Sequence, residues 1–133
     1  MNEVLYHDRK FKLWFYQISH SEAIIRSSKD SEHLYHIDIY FGDVQYIDLP
    51  TSSKTKLTLE DTQNSDLDIL SQKLQRKIEK KNVAVFSVEG QRFYVVASII
   101  KFLENDLERT QVPIDMVTIY GRRKFERKTR SNY

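Results

Sequence analysis

Apolar and polar residues alternate with period two along most of the chain, which predicts strands rather than helices. Residues 11–18 read Phe-Lys-Leu-Trp-Phe-Tyr-Gln-Ile. Strict alternation puts Phe11, Leu13 and Phe15 on one face and Lys12, Trp14, Tyr16 and Ile18 on the other, and aromatics on both sides predict a strand inside a sheet. A polar turn over 19–22 leads to a second strand, 23–27, with Ile24 and Ile25 pointing to opposite faces. Residues 28–32 form a polar loop. In the clearest run, Tyr35, Ile37, Ile39 and Phe41 alternate with Leu34, His36, Asp38 and Tyr40. Gly42-Asp43 then separates it from a second run over 44–49. A Gly-first dipeptide between two alternating runs predicts a two-residue hairpin turn, because glycine supplies the positive φ that such a turn needs. Pro50 ends the strand, since it has no N–H for a ladder. A polar connection leads to a short strand at 57–59.

The period changes after Glu60. Leu67, Leu70, Leu74 and Ile78 recur at helical spacing, and Ile69 widens the stripe. Asn64 or Ser65 is a suitable N-cap, Asp66 and Asp68 suit the positive end of the dipole, and Arg76, Lys77, Lys80 and Lys81 suit the negative end. These signals predict a helix over 65–80. Residues 83–88 read as a strand and Glu89-Gly90 as a turn. Residues 93–103 fit either a strand or a helix stripe, and the β-branched Val95, Val96, Ile99 and Ile100 favour the strand. Residues 104–111 read as a loop or a helical turn, and 116–120 as a last strand. The expected fold is α+β: a mainly antiparallel sheet, or a partly closed small barrel, with one amphipathic helix. The domain spans 1–120 and is followed by a basic C-terminal tail, 121–133.

Composition agrees with a single globular unit: 133 residues, 40% hydrophobic and 30% charged, with three Gly and two Pro. The chain has no cysteine, so disulfides and thiolate chemistry are excluded, which fits a reducing compartment. No apolar run suits a signal peptide or a membrane span, and the expected location is cytoplasmic. The net charge of +2 is modest, but its distribution is uneven. Arg122, Arg123, Lys124, Arg127, Lys128 and Arg130 crowd the tail against Glu126 alone, leaving the rest slightly acidic. No phosphate loop, dinucleotide fingerprint, zinc-protease motif or nucleophile elbow is present, and no cofactor or metal is implied.

The candidate chemistry is sparse. His36 and Asp38 share a strand face at a spacing that allows a common metal or proton with a third group, but the favoured reading is that Leu34, His36, Asp38 and Tyr40 form the solvent face of a half-buried strand. His20, between Ser19 and Ser21, sits at a turn, where it serves as a cap or a binding rim rather than as a catalytic base. Arg26, inside an apolar strand, needs a carboxylate if it is buried, and Asp38 on the next strand is the natural partner. Lys12, Trp14, Tyr16, Tyr40 and Tyr46 form an aromatic and basic row suited to base stacking, to packing under the helix or to a partner protein. Arg122, Arg123, Lys124, Arg127 and Lys128 offer a salt-sensitive polyanion contact.

Four segments resemble a family of small, uncharacterised bacterial proteins: Ser19-His20 leading to Ile25-Arg26-Ser27; Ile37-Asp38-Ile39 with Phe41; Leu49-Pro50-Thr51; and Tyr94-Val95-Val96-Ala97. The resemblance implies a β-rich single domain and carries over no catalytic residue. The expected function is a non-enzymatic protein–protein interaction module, with a protein partner or self-association and no membrane. One alternative is a nucleic-acid binder using the tail and the aromatic face. The other is a small-ligand binder or enzyme around His20, His36 and Asp38.

Overall fold

In the computed structural model, which describes residues 6, 8–50, 52 and 54–105, six antiparallel strands close into a barrel. They are β1 (Lys10–Gln17), β2 (Glu22–Ser27), β3 (His36–Ile47), β4 (Leu57–Glu60), β5 (Val83–Val88) and β6 (Gln91–Asn105), with one helix, α1 (Asn64–Leu74), between β4 and β5. Around the barrel the order is β1-β2-β3-β6-β5-β4, and β1 returns to pair with β4. Closure leaves no free sheet edge. Among the described residues, no helix is long and apolar enough to cross a membrane.

Period-two patterning sends one set of side chains inward. Phe11, Ile25, Ile37, Ile39, Phe41, Leu57, Leu59, Phe86 and Val95 fill the interior, with Ala23, Ala84 and Ala97 among them. Phe11 meets Phe86 edge-on, with ring centroids 6.1 Å apart. Each large side chain so buried contributes about 1.5–3 kcal/mol. Helix α1 lies outside the barrel and covers a second cluster, in which Leu70 and Ile78 meet Val83, Val85, Tyr94 and Val96.

Residues 93–103, which fitted two patterns, are strand, within a β6 that runs on to Asn105. The helix differs from expectation at both ends. It stops at Leu74 rather than near Lys80, because Gln75 takes a left-handed conformation (φ 57°) that ends the ladder. Ile78 still joins the helix's apolar cluster, by way of a loop in which its N–H donates to Ser71 Oγ at 2.9 Å. The helix begins one residue after Gln63, not at an Asn64 or Ser65 cap, and the Asp66 carboxylate accepts the Gln63 N–H at 2.8 Å.

At Gly42-Asp43 the chain makes no hairpin. β3 runs straight through from His36 to Ile47 and pairs with β6 along that length, with an irregularity between Val44 and Tyr46. Asp43, not the glycine, supplies the positive φ (54°). Gly42 provides space instead, since a Cβ there would lie 3.0 Å from Tyr40 Oη and 3.1 Å from its ring. Glycine is needed because the Tyr40 ring lies across the backbone. At Glu89-Gly90, by contrast, φ values of 50° and 85° make the primed two-residue turn that joins β5 to β6. The expected strand at 116–120 and the basic tail lie outside the described residues.

Candidate functional site: a cationic groove across β1

A bulge at Trp14 sets the outer surface of β1. Leu13 pairs with Ile25, but Phe15 pairs with Ile24, so the register shifts between Leu13 and Phe15. Beyond an extra residue the alternation reverses. Phe15 therefore leaves the face of Phe11 and Leu13 and packs outside, against Ile24 and Tyr40. Tyr16, opposite Ala23, falls on the inward parity and is 44% exposed. The single row Lys12, Trp14, Tyr16 expected from strict alternation is thus broken.

The outer wall of β2 and β3 is not a solvent face. Glu22, Ile24, Arg26, His36, Asp38 and Tyr40 are all buried. The register places Arg26 opposite Asp38, and the guanidinium grips the carboxylate with Nε donating to Oδ1 at 2.7 Å and Nη2 to Oδ2 at 2.9 Å. The same guanidinium lies 5.2 Å from the centre of the Trp14 ring, close enough for cation–π attraction. Tyr40 Oη donates to Glu22 Oε2 at 2.8 Å. His36 Nδ1 accepts the Lys29 N–H at 3.0 Å, which leaves Nε2 to carry the proton of the neutral ring.

The structure brings Arg26, Asp38 and Trp14 together, with His36 and Tyr40 on the same wall. It does not bring in His20, which lies in the 3-10 turn before β2, at the opposite end of that strand from the segment leading to His36. Among the described residues, no three His, Asp or Glu side chains gather as a metal site. Tyr46 is covered by the helix side: Lys73 Nζ lies 5.6 Å from its ring centre, and its hydroxyl donates to Asp48 at 3.0 Å. Arg122, Arg123, Lys124, Arg127 and Lys128 lie outside the described residues.

Two adjoining hollows run across β1 and share Lys10 and Lys56. One, of about 380 Å³, reaches past Lys12 and Trp14 to Arg9, Lys29 and the 28–33 loop. The other, of about 500 Å³, passes Lys54, Thr58 and Ser87 toward Glu89. Pairing explains the convergence: Lys10 stands opposite Thr58, and Phe11 opposite Leu57. Two Lys-x-Lys segments, 10–12 and 54–56, thus meet at the closing seam of the barrel. The Lys10 ammonium donates to Thr58 Oγ1 at 2.8 Å. The acids of the first hollow are committed to one rim, where His33 contacts Asp30 at 2.9 Å and Asp8 at 3.5 Å. Backbone N–H groups of Glu32 and His33 also donate to Asp30, and with the His33 ring they hold its carboxyl below the ordinary value.

Arg9 forms part of the groove and is 8% exposed. Its Nε donates to Ser27 Oγ at 2.9 Å, and its Nη2 to Ser27 O at 3.0 Å and Tyr35 O at 2.9 Å. All three acceptors are neutral. Among the described residues, nothing accepts from Nη1. Burial draws the guanidinium below its ordinary pKa, against the Coulombic pull of Asp30 and Asp8.

Sequence patterning did not single out Arg9, Lys10, Lys54 or Lys56. The available signal was the repeated Lys-x-Lys, at 10–12 within a strand and at 54–56 in the connection just before β4; what it lacked was the pairing of β1 with β4. No family model matches the chain, and neither a curated protein nor a solved structure matches it.

Proposed function

We propose that this barrel is a non-enzymatic, cytoplasmic interaction module that takes an acidic segment of a partner protein along the groove across β1. The observation that carries this reading is the seam of Lys10, Lys12, Lys54 and Lys56, with the acids of the first hollow, Asp8 and Asp30, gathered at His33. Complementary charge of this kind steers and orients a partner. The reading favours protein over nucleic acid because the aromatic row offers little for base stacking. Tyr40 is 1% exposed, Tyr46 lies beside Lys73, and Arg26 lies over Trp14. The separation of His20 from His36 and Asp38 removes the cluster on which an enzyme reading would stand.

The test is fluorescence anisotropy with a labelled oligoglutamate peptide and a labelled oligothymidylate of matched charge, over a range of salt. The peptide is expected to bind the intact protein, and Lys10→Glu with Lys56→Glu is expected to abolish that binding. Tighter binding of the oligonucleotide, or peptide binding that survives the charge reversal, would overturn the reading.

A further inference from the structure

We propose that the Arg9 end of the groove is a pocket for a phosphomonoester dianion. This rests on the groove being a binding site, and it names the group that the site is built to hold. Buried charges are ordinarily paired, because removing an ion from water without a counter-ion is costly. Arg9 is buried and has three hydrogen bonds, all to neutral oxygens. Its neighbour Asp8 does not pair with it; the Asp8 carboxylate is 75% exposed and turns to His33. A buried guanidinium with two N–H groups to give is therefore part of the lining of a hollow that also holds Lys10, Lys12 and Lys56.

The charge count selects the ligand. Asp8 and Asp30 line the same hollow and offset part of its charge, but Arg9, Lys10, Lys12, Lys29 and Lys56 outnumber them, so a single carboxylate would leave the cations undercompensated. A phosphomonoester has close to two negative charges at neutral pH and three terminal oxygens. One oxygen accepts from Arg9 Nη1, and the others face the ammonium groups, an arrangement that suits arginine's fixed donors and lysine's mobile point charge. The hollow of about 380 Å³ is larger than a phosphate group needs. The remainder, beside Trp14, accommodates the carbon skeleton of the ester.

Two sources supply this chemistry: a phosphorylated side chain in the acidic segment of a partner protein, or a free small phosphate. Isothermal titration of the full chain with inorganic phosphate, with an acidic peptide carrying one phosphoserine and with the same peptide unphosphorylated, all at matched ionic strength, tests the pocket and separates the sources. Phosphorylation is expected to tighten the peptide at least ten-fold, and inorganic phosphate is expected to compete with it. A phosphopeptide advantage far above the affinity for inorganic phosphate assigns the pocket to a partner protein; equal affinities assign it to a free phosphate.

Because Arg9 also ties β1 to Ser27 and Tyr35, Arg9→Lys alone is not decisive. Lys12→Gln with Lys56→Gln leaves those bonds in place and is expected to remove most of the phosphate preference. The Arg9 side-chain N–H signals are expected to shift with phosphate and not with chloride. A phosphopeptide that binds no better than its unphosphorylated form would overturn the pocket, while binding of both would leave the acidic-segment reading intact. Loss of both would overturn the two together.

Discussion

Gly42 and Tyr40 form a coupled pair two residues apart. The ring rests on the glycine backbone, and its hydroxyl is held by Glu22 on the next strand. A methyl group at Gly42 meets atoms that cannot swing aside without giving up that hydrogen bond. Gly42→Ala is expected to destabilise the fold by about 1–3 kcal/mol, the range for an overpacked site. Urea denaturation of Gly42→Ala, Tyr40→Phe and the double variant checks it. Removing the hydroxyl relieves the 3.0 Å contact, so the double variant should lose less than the sum of the singles. Strict additivity would show that the ring and the glycine do not interact. The sequence displayed this glycine plainly but suggested the wrong use for it. Gly-Asp between alternating runs is a turn signal, and only the tertiary position of the Tyr40 ring shows that the glycine is there for space.

Among the elements, α1 is fixed to the barrel by its apolar face and by one buried carboxylate. Asp66 accepts from the Gln63 N–H, from Arg92 Nε at 2.9 Å and Nη2 at 2.7 Å, and from Tyr94 Oη at 2.9 Å. Burial opposes its charge, but the bonds from Arg92, Gln63 and Tyr94 outweigh it and hold the carboxyl below its ordinary value. A carboxyl depressed in the folded state stabilises it above the unfolded pKa of about 3.9, and that contribution fades as pH falls through the folded value. Stability is expected to drop in acid below about pH 4, and Asp66→Asn should flatten that part of the profile. At neutral pH the same change should cost about 2 kcal/mol, the scale of hydrogen bonds to a charged group. Chemical denaturation from pH 3 to 7 measures both, and an unchanged acid limb in Asp66→Asn would show that other carboxylates govern it.

How much of this was legible also sorts by element. The turn at Glu89-Gly90, the apolar stripe of the helix and the pairing of Arg26 with Asp38 could all be read, because each rests on local chemistry or on one neighbouring strand. The reversal of alternation at Trp14 could not, since a bulge depends on how β1 meets β2 and leaves no composition cue. Nor could the burial of His36, Asp38 and Tyr40. A strand covered on both faces shows polar residues at the same period as a half-exposed one.

For the whole molecule, the decisive long-range fact is closure, and closure is uneven. β3 and β6 pair over ten residue pairs, from His36 with Asn105 to Ile47 with Val95. β1 and β4 pair over two, Lys10 with Thr58 and Phe11 with Leu57. Protection from hydrogen exchange follows local stability, so the amides at the β1–β4 seam should exchange first and those in the middle of β3 and β6 last. The cationic groove crosses this weak seam, so like charges from Lys10, Lys12, Lys54 and Lys56 press on the place with the fewest ladder bonds to resist them. Salt should relieve that pressure, since the Debye length falls from about 30 Å at 0.01 M to about 3 Å at 1 M. Exchange at residues 10–12 and 57–60 should therefore slow as salt rises, while β3 and β6 change little. A polyanion in the groove should do the same at low salt by bridging the two strands. Hydrogen exchange read by mass spectrometry at low salt, at high salt and at low salt with phosphopeptide separates these effects. If the seam proved as well protected as β6, or indifferent to both salt and anion, the groove would be a rigid surface rather than a junction that binding completes.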